Sequence, residues 1–137
     1  MTWKHFRMIG LWTVVYAMLY ACQADGYVQK AQYVTNGQQL YRTHCQNCHG
    51  AQGEGLGTLY PALTDTNRLA EIRLKMPRLV RFGTETISID TTLIQQKMPA
   101  NPVLTSIEIA YVLTYIQNAF GNEMNVFSHE EVQALLR

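Results

Sequence analysis

Cys45-Gln46-Asn47-Cys48-His49 is the stretch on which the reading of this 137-residue chain turns. It has the form C-x-x-C-H, the attachment signature of c-type haem. The spacing has a physical reason. Two thiols one helical turn apart can each form a thioether with a haem vinyl group, and a His directly after the second Cys projects its imidazole onto the iron from the same side. One short segment then supplies two tethers and an axial ligand. Other chemistry also uses C-x-x-C. A thioredoxin-like pair sits in a βαβ context, which the surrounding sequence lacks, and a Cys₄ zinc site needs a second Cys pair. His44 and His129 do not stand at zinc-finger spacing from His49. A disulfide between Cys45 and Cys48 is the plainest alternative.

Working toward the N-terminus, Lys4, His5 and Arg7 precede a nearly uncharged run from Met8 to Ala21. That run has the length of a secretory signal's apolar core and falls short of the roughly twenty residues of a membrane-spanning helix. Leu19-Tyr20-Ala21-Cys22 resembles a bacterial lipobox, in which a small residue precedes a Cys that is lipidated and becomes the new N-terminus. Tyr20 departs from the small or β-branched residue usual there, so cleavage near Ala24 without lipidation is the alternative. Lipidation at Cys22 accounts for the odd cysteine in an exported chain whose other two have a use. The expected division is a lipoprotein-type signal peptide over 1–21, a polar tether without helical periodicity over 22–34, a haem domain over 35–121 and a C-terminal helical tail over 122–137.

Removing 1–21 takes Lys4 and Arg7 from the eleven basic residues and leaves nine against ten acidic ones. A near-neutral mature domain lacks the basic excess of a nucleic-acid binder, so no nucleic-acid partner is expected. The remaining length suits one domain and excludes a multidomain enzyme.

Beyond the motif, the chain resembles the monohaem class I cytochromes c over about Thr35 to Gly121. In that family a Gly and an aromatic residue precede the first haem Cys at four-residue intervals, and here Gly37, Tyr41 and Cys45 match. The resemblance implies a mostly α-helical fold wrapped around one covalent haem c, with Gly37 packed against an aromatic-bearing C-terminal helix where Tyr115 stands. It also implies that the carbonyl of Pro61, a dozen residues past His49, accepts a hydrogen bond from the imidazole nitrogen that faces away from the iron, orienting the ring and raising its basicity. An ordinary loop proline is the plain alternative for Pro61.

Met76, Met98, Met124, His44 and His129 are the candidates for the second axial ligand. Two share a local pattern, Lys75-Met76-Pro77 and Lys97-Met98-Pro99. The family's ligand commonly lies in a loop just before the last strong helix, followed by Pro, which implies Met98. Met76 closes an apolar-periodic stretch that includes Leu69, Ile72 and Leu74, where a Met is ordinarily core filler. His44 adjoins the attachment motif and reads as a polar helix residue. His129 lies in the tail.

Elsewhere, Asn36 to Cys45 reads as a helix opened by Thr35 or Asn36, and the glycine-rich loop from Gly50 to Thr66 as an irregular wrap at a haem edge. Thr66 to Arg81 reads as one or two short helices. Their basic residues Arg68, Arg73, Lys75, Arg78 and Arg81 make either a solvated face or a surface for a haem propionate and an acidic partner. Thr86 to Ile94 alternates like a small hairpin before the Met98 loop. Thr105-x-x-Glu108 boxes the start of the last strong helix, with Ile109, Val112, Leu113 and Ile116 as its stripe. Ser128 to Glu131 opens a second boxed helix, either a packing strut or a docking element. The function expected from the resemblance is single-electron transfer by a membrane-tethered carrier on the periplasmic side of a bacterial membrane. Its partners would be the redox proteins of a respiratory complex, and the sequence is similar to the monohaem lipoprotein subunits of alternative complex III. An open-iron protein that binds gas or reacts with peroxide is the rival, and Met98 would then stand off the iron.

Overall fold

The apolar stripe Ile109, Val112, Leu113 and Ile116 is buried to within 5% of full coverage. Its helix, α5 (Ser106–Ala119), is the element on which the others pack. The computed structural model describes residues 3–86, 97–121 and 125–137. Before α5 come α1 (Trp3–His44), α2 (Gln46–His49), α3 (Thr66–Ile72) and α4 (Met76–Phe82); α6 (His129–Leu135) follows it. Single 3₁₀ turns stand at Arg73–Lys75 and Thr84–Thr86. Among the described residues there is no strand, only an isolated antiparallel bridge between Leu56 and Tyr60. The expected mostly helical architecture is therefore observed. Past Thr86, the hairpin read from Thr86 to Ile94 lies outside the described residues.

Packing divides the chain into two compact units, Met1–Gln32 and Tyr33–Arg137. Within the first, α1 exposes Trp12, Val14, Val15, Tyr16, Tyr27 and Val28. The polar stretch over 22–34, though it lacks helical periodicity, is helical, and Thr35 and Asn36 lie inside α1 rather than opening it. The first proline is Pro61, so nothing before it removes a helical N–H, and Ala, Gln and Lys sustain a helix by propensity without any apolar stripe. Periodicity reports a buried face, and a helix without one gives no such signal. Among the described residues no helix is long and apolar enough to cross a membrane.

Within the second unit, α1 crosses α5 at Gly37. A Cβ on residue 37 would collide with the Tyr111 carbonyl oxygen and stand 2.7 Å from Tyr115 Cβ, so only glycine lets the two backbones approach. Aromatic rings close the crossing on either side. Tyr33 meets Tyr111 edge-on at 4.6 Å between centroids, and Tyr41 lies 5.4 Å from Tyr115 and 5.3 Å from Phe120. The packing of Gly37 on the aromatic-bearing α5, where Tyr115 stands, is as expected.

Thr105 caps α5 as read. Its hydroxyl accepts from the Glu108 N–H at 3.4 Å while the Glu108 carboxylate accepts from the Thr105 N–H at 2.8 Å. The Thr105 hydroxyl, which donates to the same carboxylate at 2.6 Å, and the Thr105 N–H hold the Glu108 carboxyl below its ordinary range. The cap of α6 is one-sided. Ser128 Oγ accepts from the Glu131 N–H at 3.1 Å, but the Glu131 carboxylate is committed to the Arg73 guanidinium instead of the Ser128 amide. The same guanidinium lies 4.2 Å over the buried Phe127 ring. Phe127 N–H donates to Thr114 Oγ1 at 3.0 Å, and Val132 is fully buried. The tail is a packing strut on α4 and α5.

Gly37→Ala should destabilise the haem-loaded protein by about 3 kcal/mol, an overpacking cost. Guanidinium unfolding is the check, and a loss below about 0.5 kcal/mol, the scale of a neutral surface change, would contradict this account of the crossing.

Candidate functional site

Residues from five helices, a 3₁₀ turn and two loops line a cleft open to solvent on one side. Cys45, Cys48 and His49 line it together with Met98, Pro61 and Met76. Its walls are otherwise mainly apolar, with Leu69 from α3, Leu79 and Val80 from α4, and Leu113 and Ile116 from α5. Arg68 and Lys97 are the cationic side chains on its lining, and Lys97 pairs with Glu85 at 3.1 Å.

The attachment segment is held from both sides. Ahead of it, α1 ends at His44, and the Cys45 N–H still donates to the Tyr41 carbonyl at 2.9 Å. Tyr41, 1% exposed, donates its hydroxyl to the Gly50 carbonyl at 2.7 Å, tying the end of α1 to the residue after His49. Burial pushes the Tyr41 phenol above its ordinary range, so it stays a donor. Behind the segment, Gly55 N–H donates to His49 O at 2.8 Å and Leu63 N–H to Gly53 O at 2.7 Å. These bonds fold the glycine-rich loop back toward the imidazole.

His49 Nδ1 lies 3.0 Å from the Pro61 carbonyl oxygen. A carbonyl only accepts, so Nδ1 carries the proton and Nε2 keeps its lone pair for a metal. Burial lowers the His49 pKa, opposed by the Pro61 bond, which favours the neutral imidazole that ligates. Cys45 and Cys48 are both free thiols, so the disulfide alternative is not realised. Burial, aided by Cys48, pushes the Cys45 thiol up to about 11 and keeps it neutral. Among the described residues no three His, Cys, Asp or Glu side chains converge as a metal site, and the zinc reading lacks its ligands.

The donor set fits haem. An apolar cleft suits the macrocycle, the two thiols suit its vinyl groups, and a neutral imidazole suits the iron. His49 and Met98 are the residues here that would hold the iron, with Cys45 and Cys48 as the tethers.

A staple from the end of α4 fixes the Met98 loop. Thr84 N–H donates to Met98 O at 3.1 Å, and Met98 N–H donates to Thr84 Oγ1 at 3.1 Å. Asn101 N–H reaches Val80 O at 3.0 Å, and Arg81 Nη1 reaches Pro102 O at 2.8 Å. Gly83 ends α4 at φ +74°, and a Cβ there would stand 2.5 Å from the Met98 carbonyl oxygen. Sequence reading missed Gly83 and Thr84. The signal was present, because a glycine directly after a helical run marks a left-handed terminus, but nothing in the sequence tells which loop that terminus holds.

The other candidates part ways. Met76 opens α4 instead of closing the stretch before it; it is buried at 5% exposure in the core and still lines the cleft. His44 is exposed at the cleft's edge. His129 Nε2 lies 2.9 Å from Ser106 Oγ, away from the cleft lining. Cys22 lies in α1 within the other compact unit, and Met124 lies outside the described residues.

Thr84→Val should leave the Met98 N–H without its acceptor and cost about 1–3 kcal/mol. Thr84→Ser should retain most of that stability. Thermal melts of both variants check this, and equal losses would show that the methyl group, not the hydroxyl, matters.

No curated protein matches the chain. The family model described as Cytochrome c matches residues 34–120, a span that takes in the attachment segment, the Pro61 loop, the Met98 loop and α5. Since this is more than half of the chain, the protein belongs to the cytochrome c family, haem proteins that bind haem c covalently and carry electrons.

Proposed function

We propose that this protein is a monohaem electron carrier tethered to the periplasmic face of a bacterial membrane, with His49 and Met98 as the axial ligands of one haem c. The observation that carries the reading is the His49–Pro61 bond of 3.0 Å, in a cleft lined also by two free thiols and by Met98. Haem bound there supplies an iron that alternates between the ferrous and ferric states, and a thioether ligand raises its potential relative to a second imidazole.

The chain's own residues do the rest. Pro61 fixes the imidazole ring and its tautomer, so the ligating nitrogen keeps one geometry. The α4 staple keeps Met98 in place on the other loop. Apolar side chains from α3, α4 and α5 exclude water, which limits reorganisation when charge changes.

The signal-like run before Cys22 supports export, and the small residue Ala21 ahead of Cys22 supports a lipid anchor. A role as a fixed subunit of a quinol-oxidising or oxidase complex is favoured by the near-neutral mature charge, because freely diffusing carriers commonly rely on charge steering. The likeness to the lipoprotein subunits of alternative complex III points the same way.

The ferric protein should show the weak far-red band of a methionine–iron(III) bond, and Met98→Ala should lose it, lower the reduction potential and let the ferrous form bind carbon monoxide. A wild type without the band that readily binds carbon monoxide would transfer the reading to gas or peroxide chemistry. Cys22→Ala should abolish fatty-acid incorporation and move the protein from the membrane to the soluble fraction; unchanged membrane recovery would remove the lipid anchor.

A further inference from the structure

Two methionines, each followed by proline, line the cleft, and α5 treats them differently. Gln117 is 1% exposed, yet it carries a side-chain amide into the core. Its Nε2 donates to the Met76 Sδ at 3.6 Å. Its Oε1 lies against Gly121, where any side chain on residue 121 would collide with it. The amide is thus wedged on its oxygen side and directed at sulfur on the other.

We propose that Gln117 is the positioning residue that withholds the Met76 thioether from the iron and so reserves the axial position for Met98; this rests on the His49/Met98 reading above. A thioether is a weak acceptor, and the bond alone is not strong. Its force comes from the donor. If Met76 swung its sulfur into the cleft, a buried amide N–H would lose its partner, and leaving a buried donor unpaired is costly. Without that restraint Met76 has three rotatable bonds with which to redirect its sulfur. Met98 has no such competing partner for its thioether among the described hydrogen bonds. Its backbone, not its side chain, is held, through Thr84. One methionine is therefore fixed by its sulfur and the other by its main chain, which leaves only the second with a free donor atom.

The test uses the haem-loaded full chain, read by ferric far-red absorption and by NMR of ¹³C-methyl-labelled methionine. Met98→Ala alone should leave at most a minor population of thioether-ligated ferric protein, held through Met76. Met98→Ala combined with Gln117→Leu should raise that population roughly tenfold over Met98→Ala, the effect of one buried hydrogen bond. Adding Met76→Leu should abolish it again. Gln117→Asn, which keeps the amide but shortens its reach, should act like Gln117→Leu and carries the test if leucine is not tolerated in folding. A Gln117 that merely supports the core would lower the melting temperature without creating a Met76-dependent band. Folded double variants with no more thioether ligation than Met98→Ala would overturn the proposal. A band that survives Met98→Ala but disappears in Met76→Leu would instead overturn the His49/Met98 reading itself.

Discussion

Everything around the cleft depends on how closely α1 can approach α5, and that distance is set at residue 37, where a Cβ would enter the Tyr111 carbonyl. The same helix then carries Tyr41 against Tyr115 and Phe120 at the end of α5 and leads directly into Cys45 and the short α2 that holds Cys48 and His49. Leu113 and Ile116, on the same helix as Gly37's partners Tyr111 and Tyr115, line the cleft together with the attachment segment. A larger residue at 37 would move the tethers relative to that wall. Function in this molecule is therefore coupled to one backbone contact remote from any reacting atom.

The two loops that complete the cleft are held differently. The Pro61 loop folds back through main-chain bonds and presents a carbonyl to His49, so it contributes no side-chain chemistry. The Met98 loop is stapled to the end of α4 at Thr84, Val80 and Arg81 and presents a side chain. Both arrangements fix the backbone, and on the Met98 loop they leave the side chain as the softer element, which would suit a site where geometry must survive a change of charge.

Much of this was legible before any coordinates because its causes are local. C-x-x-C-H is a covalent constraint with one spacing, Thr105 and Glu108 satisfy each other within one turn, and the stripe of α5 repeats at the helical period. The offset from His49 to Pro61 was legible through family resemblance. The helix across 22–34 was not, because it lacks the buried face that makes a helix periodic. Nor was the one-sided cap of α6: Ser128 and Glu131 satisfy the local rule, but Arg73, distant in sequence, takes the carboxylate. Gln117 was invisible for the same reason. A polar residue on an apolar helix reads as a defect until its partner, Met76, is placed beside it by the fold.

The engagement of Arg73 changes how the basic run of α3 and α4 should be regarded. Its charge is neutralised by Glu131, Arg81 is tied to the Pro102 carbonyl, and Arg78 rests over the Phe82 ring. Cations that must break internal contacts before meeting a partner make poor long-range beacons. The whole chain also carries a formal charge of only +1. Electron exchange through this protein should thus vary little with ionic strength, its rate governed by residence in a fitted complex more than by the frequency of diffusional encounters.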